Sequence, residues 1–264
     1  MKQAIKGFLF TGACALALTS VLPAQAAVVL AATRVIYHAK DAEATIKLSN
    51  EGQAPMLTQA WLDKGDVKAD PSTIEVPFTV TPPVSRIDPG KAQTLRIIYT
   101  GEPLPPDRES VFWLNVLEVP PKPAASEAGA NFLQMAFRSR IKLFFRPAGL
   151  KGSADDAAAQ IIWRLTQTGE AGKARAALEA RNPTAYHVSF AALELAGGGK
   201  TATFSEGGMV GPGETKVFPL TGEVPAIPQA KVNYHAINDY GGALNGEAPL
   251  SAAAAAPNAA AGGK

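Results

Sequence analysis

Few side chains in this sequence have a type and spacing that could support catalysis. The chain contains three histidines, His38, His187 and His235, and one adjacent carboxylate pair, Asp155-Asp156. Three histidines can hold a zinc ion, and paired carboxylates can act as general acid and base. The histidines, however, fall in separate predicted strands without the short spacing of metal ligands, and the aspartates fall in an Ala-rich turn. We therefore predict no metal site, no cofactor and no enzymatic activity.

The most informative segment is residues 131–147, NFLQMAFRSRIKLFFRP. In its first half, apolar side chains alternate with polar or small ones, the period of two that places one set on one face of a β-strand. The alternating apolar residues are Leu133, Met135 and Phe137. Such a strand is either internal to a core or an edge kept open for a partner, because unpaired backbone groups at an edge recruit further strands. A conventional core set follows it in Ile141, Leu143 and Phe145, which favours the open edge.

The first 26 residues have the features of a cleaved secretory signal. Lys2 and Lys6 give a positive start, an apolar stretch follows, and Ala24-Gln25-Ala26 fits a small-residue cleavage site. The only cysteine, Cys14, lies inside this signal, so we expect no disulfide in the mature chain. The mature chain is close to neutral, which gives no electrostatic reason for nucleic-acid binding. We expect an exported protein that does not insert into a membrane.

The rest of the sequence predicts an all-β chain. Short apolar strands alternate with turn residues, helical periodicity is nearly absent, and the pattern restarts near residues 146–151, which indicates two antiparallel sandwiches. The predicted strands are 45–48, 56–62, 94–99, 111–119, a long strand ending near 145, 160–166, 174–180, 186–195, 215–220 and 232–237. We predict domains at 27–147 and 148–246, a flexible loop at 120–130, and a disordered Ala-rich tail at 247–264.

Nine short segments, in this order behind a signal peptide, resemble the PapD-like family of periplasmic pilus and fimbrial assembly chaperones of the chaperone-usher pathway. They are TRVIY at 33–37, QAW at 59–61, PFTVTPP at 77–83, LRI at 95–97, PDRES at 106–110, FWLN at 112–115, RIKLFFRP at 140–147, NPT at 182–184 and INDYGG at 237–242. The resemblance covers residues 27 to about 243. It implies two immunoglobulin-like β-sandwich domains in a boomerang arrangement.

The resemblance also implies a function and a set of site residues. A chaperone of this family works in the periplasm, binds, folds and caps pilus or fimbrial subunits by donor-strand complementation, and delivers them to an outer-membrane usher. Arg34 and Lys142 match the pair that anchors the terminal carboxylate of a subunit, through charge-assisted hydrogen bonds. Leu133, Met135 and Phe137 match the residues that fill the groove of the subunit.

A third group matches a buried charge network between the two domains of the family. Its members are Glu109, Arg146 and Asp239. Such a network contributes orientation more than net stability, because desolvation can cancel the Coulomb attraction. We therefore expect Arg146 to hold the two domains at a defined angle.

Four points stay open from the sequence. The chain could be a secreted two-domain binding module that uses its loops, and Arg34 and Lys142 could be ordinary solvated strand charges. A homodimer could cap the open edge in the free protein. Strict alternation also places Lys142 on the face opposite Phe137, unless a bulge near Ser139 changes the register.

Overall fold

A computed structural model describes residues 27–121, 134–169, 174–226 and 230–251. The signal segment, most of the predicted loop at 120–130, and Leu133 lie outside the described residues. The first part of the chain forms β1 (Val28–Leu30), β2 (Arg34–His38), β3 (Ala44–Asn50), β4 (Met56–Asp63), β5 (Phe78–Thr81), β6 (Val84–Ile87), β7 (Ala92–Tyr99), β8 (Ser110–Val119) and β9 (Phe137–Arg146). The predicted all-β class is confirmed, and the predicted strands at 45–48, 56–62, 94–99 and 111–119 fall within β3, β4, β7 and β8. The long predicted strand starts later than expected: β9 begins at Phe137, where its pairing with β8 ends, so Met135 precedes the strand.

These nine strands form the two sheets of a β-sandwich. One sheet has the order β1-β3-β7-β5 and the other the order β2-β9-β8-β4-β6. Every pairing is antiparallel except that of β2 with β9, which is parallel. On β3 and β7 the apolar side chains Ile46, Leu48, Leu95 and Ile97 are buried, while their polar neighbours Lys47 and Arg96 are exposed. This period of two turns one face of each strand toward the core.

Aromatic side chains fill the end of this core nearest the second domain. The Phe78 ring lies 4.9 Å from that of Phe112 and 5.7 Å from that of Tyr37, both in edge-on geometry. Phe145 of β9 stacks 5.8 Å from Tyr37. Offset and edge-on aromatic pairs of this kind add to the free energy gained by burying apolar area. The end of β9 is therefore held firmly against the first core.

The second part of the chain forms another β-sandwich. Its elements are α1 (Ala154–Ala157), a single 3-10 turn (Ala158–Gln160), β10 (Ile162–Thr168), β11 (Arg175–Arg181), β12 (Val188–Gly197), β13 (Lys200–Phe204), β14 (Gly208–Val210), β15 (Thr215–Pro219), β16 (Thr221–Gly222), β17 (Lys231–Ile237) and β18 (Ala243–Pro249). One sheet has the order β10-β11-β15, and the other has the order β16-β13-β12-β17-β18 with β14 also on β12. The core between them centres on Trp163, Phe190 and Phe218.

Two expectations for this second part need correction. Asp155 and Asp156 lie in α1 rather than in a turn, because the Ser153 hydroxyl caps the helix by accepting the Asp156 N–H at 3.1 Å. The predicted tail also starts too early. β18 runs to Pro249 beside β17, and Ala248 is only 6% exposed. The Ala-rich composition predicted disorder, but a small apolar residue can also fill a narrow position in a core. The rest of the predicted tail, residues 252–264, lies outside the described ranges.

Within the described ranges, no helix has the length and apolar character that crossing a membrane requires. The described ranges also contain no cluster of three or more His, Cys, Asp or Glu side chains arranged to hold a metal ion.

Candidate functional site

The site lies where β2 meets the second half of β9. β2 pairs in parallel with only the last five residues of β9, with Arg34 opposite Lys142 and His38 opposite Arg146. Within the described part of the chain, residues 137–141 of β9 have a pairing partner on the β8 side alone. The chain before β2 crosses to the other sheet, where β1 pairs with β3. The position beside residues 137–141 is therefore an open edge that ends at Arg34.

Arg34 stands at the end of this open edge and is nearly buried, with 9% of its surface exposed. Its Nη1 donates a hydrogen bond of 3.0 Å to the carbonyl oxygen of Ile237, which belongs to the second domain. Its Nε atom is buried and has no hydrogen-bond partner within the described residues. Burial lowers the pKa of Arg34, and the negative charge of Asp239 acts in the opposite direction. A buried donor without a partner carries a free-energy penalty that an incoming acceptor would remove.

Lys142 lies next to Arg34 and donates from Nζ to Ser189 Oγ at 3.0 Å. Its pKa is lowered to about 8, first because burial disfavours the charged form and then because Arg34 and Lys216 are positive. Among the described residues, no carboxylate forms an ion pair with either Arg34 or Lys142. Two partly buried cations that lack such a partner make a site for an anion.

The apolar residues of β9 lie on the opposite face from Lys142. The register of β8 and β9 is continuous from Ser110–Phe145 to Glu118–Phe137, so Ser139 is not at a bulge. Phe137 thus shares the face of the core residues Leu143 and Phe145 but lies beyond the core, and it is 43% exposed. Met135, just before the strand, is 48% exposed. Two large apolar side chains therefore meet solvent beside the open edge, while Leu133 lies outside the described residues.

Below the cation pair, an ion network joins the two domains. Arg146 donates from Nε to Glu109 at 2.6 Å, and its two terminal nitrogens donate to the two oxygens of Asp239 at 2.6 and 2.9 Å. The second oxygen of Glu109 accepts the backbone N–H of His187 at 2.8 Å. Burial acts to lower the pKa of Arg146, but these hydrogen bonds and the negative charges of Asp239 and Glu109 raise it above its ordinary value. The structure thus brings all three residues of the predicted network together.

Several residues of the site were not found from the sequence. Ser189 contacts Lys142, the Ile237 carbonyl contacts Arg34, and His187, considered only as a metal ligand, contacts Glu109. These pairs are 47, 203 and 78 residues apart, so no local pattern connects them. A local signal existed only for the turn before His187, where the buried Asn182 side chain donates to the Tyr186 carbonyl at 2.7 Å.

Comparison with protein families covers both sandwiches. Residues 27–151 match the N-terminal domain model of the PapD pili and flagellar-assembly chaperones, and residues 156–248 match the C-terminal domain model of the pili assembly chaperone PapD. The chain belongs to the PapD family of pilus-assembly chaperones. The family identity and the two-sandwich fold that the sequence predicted are thereby confirmed.

Individual members of the PapD family are similar over most of the chain. The probable fimbrial chaperone YadV of Escherichia coli is 47% identical across 84% of this chain and 89% of its own length. The chaperone protein FimB/FhaD of Bordetella pertussis is 46% identical across 89% of this chain and 93% of its own length.

Solved structures show the same likeness. The crystal structure of YadV, at 43% identity, covers 85% of this chain and 100% of its own, with a TM-score of 0.71. The SafB chaperone of Salmonella enterica, solved in complex with the SafA pilin, is similar at 30% identity, 87% and 99% coverage and a TM-score of 0.69.

Replacing Arg146 with glutamine should destabilise the protein, because it leaves the buried Glu109 carboxylate without its charge partner. Removing one member of a buried ion pair costs about 3 kcal/mol or more. The matched control is Arg86→Gln, which breaks an exposed pair with Asp88 and should cost less than about 1 kcal/mol. Urea unfolding monitored by tryptophan fluorescence gives both free energies. Equal losses in the two variants would show that the network contributes nothing beyond a surface pair.

Proposed function

We propose that this protein is a periplasmic chaperone that binds pilus or fimbrial subunits along the open edge of β9 and holds the terminal carboxylate of the bound chain between Arg34 and Lys142. The observation that carries this proposal is the pair of partly buried cations, without a carboxylate partner in the described residues, at the end of an unpaired strand edge. An acid group placed there gains charge-assisted hydrogen bonds from both side chains.

The geometry of the edge favours one direction for the added strand. A segment that pairs with residues 137–141 occupies the same sheet position as β2 and lies just before Arg34. If that segment runs parallel to β9, its C-terminus meets Arg34 and Lys142. If it runs antiparallel, a chain start in that place would bring a positive amino group against two cations. A terminal carboxylate and a parallel strand are therefore the arrangement that electrostatics supports.

The apolar residues supply the second part of the binding energy. Met135 and Phe137 are about half exposed beside the edge, and Phe137 lies on the face opposite the cations. We propose that they, with Leu133, enter the apolar groove of a subunit whose own sheet lacks a strand. Each apolar side chain that becomes fully buried contributes about 1.5–3 kcal/mol. Main-chain hydrogen bonds along the edge add affinity, while the alternating side chains select the groove.

Family membership supports the remaining parts of the proposal. SafB, which is similar over almost its whole length, was solved bound to the SafA pilin, and this supports a pilus subunit as the partner of the present chain. The signal-like start of the sequence supports a periplasmic location. We further propose that the chaperone passes its subunit to an outer-membrane usher. The cycle uses no nucleotide, since folding and assembly of the subunit supply its free energy.

Co-purification tests this function directly. Tagged protein is expressed in the periplasm together with a pilus subunit, as the parent and as the variants Arg34→Ala and Lys142→Ala. The control is Lys47→Ala, which removes an exposed lysine from the other sheet. We expect a one-to-one complex with the parent and the control, and loss of the complex with either the Arg34 or the Lys142 variant.

Circular dichroism checks that each variant is folded. If the folded Arg34 and Lys142 variants retain as much of the subunit as the parent does, these two residues do not anchor it, and binding through the loops becomes the better explanation.

The affinity for a peptide that copies the C-terminus of a pilus subunit should also depend on pH. Because the pKa of Lys142 in the free protein is about 8, the side chain is charged below that pH and loses its charge above it. A bound carboxylate favours the charged form, so affinity should be constant while the peptide carboxylate and Lys142 are both charged, and should fall as the pH rises through about 8. The Lys142→Met variant should bind more weakly and show no such fall. Fluorescence anisotropy of a labelled peptide measures both, and an identical pH profile in the variant would contradict the assignment.

A further inference from the structure

A third cation lies on the same face of β9 as Lys142 but is kept away from the open edge. Arg140 precedes Lys142 by two residues in an unbroken strand, so the two side chains leave the sheet on the same side. Their backbone positions are about 7 Å apart along the strand. Arg140 is thus the nearest residue that could offer a second binding position to a carboxylate on that edge. Arg138, two residues further along the same face, is exposed and donates to the Val67 carbonyl oxygen at 3.0 Å.

The Arg140 side chain reaches across the sheet, away from the edge. Its Nε donates to Asp63 Oδ2 at 3.1 Å, and its Nη2 donates to the other oxygen of Asp63. Asp63 lies on β4, which is separated from β9 by β8. On the way, the guanidinium covers the ring of Trp113 on β8, 4.7 Å from its centroid. Two strand spacings of nearly 5 Å each therefore separate Asp63 from the strand that carries Arg140.

Asp63 is built to stay charged and fixed. Its carboxylate side chain is only 3% exposed, and it also accepts hydrogen bonds from Asn115 Nδ2 at 2.7 Å and from the Gly65 N–H at 2.6 Å. Burial would raise the pKa of Asp63, but the hydrogen bonds from Arg140, Asn115 and Gly65 lower it. A forked guanidinium and a carboxylate in this geometry form a directional pair. Arg140 is consequently neutralised in place.

Alternating side chains alone leave the binding register open to a specific error. A slip of one residue turns every side chain to the wrong face, but a slip of two residues keeps every face correct. Only the end of the strand distinguishes the correct position from one two residues away. Arg140 lies two residues from Lys142, so a free charge there would stabilise this slipped register.

We propose that Asp63 is a register-determining residue, which withdraws Arg140 from the open edge of β9 and leaves Arg34 and Lys142 as the carboxylate anchor there. This inference rests on the proposed function, since it concerns how the same bound strand is aligned. Asp63 acts through Arg140 and does not itself touch the bound strand. Substitution of Asp63 should therefore shift the register of the bound strand and leave its binding largely intact.

Disulfide trapping measures the register. The mature chain has no cysteine of its own, so Arg138→Cys on β9 places a single thiol beside the exposed edge. The probe is a ten-residue peptide of alternating valine and threonine with a free C-terminal carboxylate. The peptide cysteine is activated as a mixed disulfide with thionitrobenzoate, which leaves when the protein thiolate attacks the peptide sulfur. One version carries this cysteine fourth from the end, which lies beside residue 138 when the peptide ends at Arg34. The other carries it second from the end, which lies there after a slip of two residues.

The Arg138→Cys protein is called the reporter protein. It is compared with the same protein carrying Asp63→Asn, and with the same protein carrying Asp63→Asn and Arg140→Gln, which removes both charges. In the reporter protein we expect the fourth-from-end cysteine to be trapped in excess by about tenfold or more, the equivalent of one pair of charge-assisted bonds. Asp63→Asn should bring the two yields close to equality, and the double variant should restore the excess. Arg140→Lys is a second route, because a lysine cannot form the forked pair and should give an intermediate ratio.

An unchanged ratio in folded Asp63→Asn or Arg140→Lys would overturn the inference and leave the proposed function intact. A reporter protein that traps neither peptide would instead overturn the proposed function, and the inference with it.

Discussion

The structure depends on one limited pairing, the parallel contact of β2 with only the last five residues of β9. Had β2 extended further, the edge of β9 would be closed, and Arg34 would lie mid-sheet. Because the chain crosses to the other sheet before Arg34, the edge stays open and ends at two cations. Open edges usually carry devices that prevent strand addition. Here two large apolar side chains, Met135 and Phe137, are exposed beside the edge instead, and the proposed function assigns them to the binding of an added strand.

Two neighbouring cations in a partly buried place repel each other, so other parts of the fold must hold them. The second domain does so with the Ile237 carbonyl on Arg34 and the Ser189 hydroxyl on Lys142. The Arg146 network with Glu109 and Asp239 fixes that domain against the first. An intact buried ion network of this kind contributes little net stability, but an arrangement of the domains that leaves one of its charges buried without a partner is costly. The domain interface therefore positions both cations of the proposed site, although the open strand belongs to the first domain.

Much of the fold and part of the candidate site could be predicted from the sequence, because strands leave strong local signals. Alternation identified Met135 and Phe137, and it placed Lys142 on the opposite face. The contacts that make the site are different, because Ser189 or Ile237 approaches the first domain only through the relative position of two sandwiches, which no local pattern encodes. The same holds for Asp63, since an arginine that crosses two strands to its partner leaves no trace in its neighbours. The predicted start of the disordered tail was wrong for a different reason, because the Ala-rich composition gave no sign that Ala248 is buried in β18.

The central claim is that the cation pair recognises a chain end, and calorimetry can test it with two peptides. They share one alternating apolar sequence from the end of a pilus subunit, and one has a free C-terminal carboxylate while the other has a C-terminal amide. If Arg34 and Lys142 bind the terminal charge, the amide should bind at least about tenfold more weakly, a loss near 1.4 kcal/mol. Equal affinity for the two peptides would show that Arg34 and Lys142 do not recognise the carboxylate, and the proposed anchoring of a chain end at the edge of β9 would be wrong.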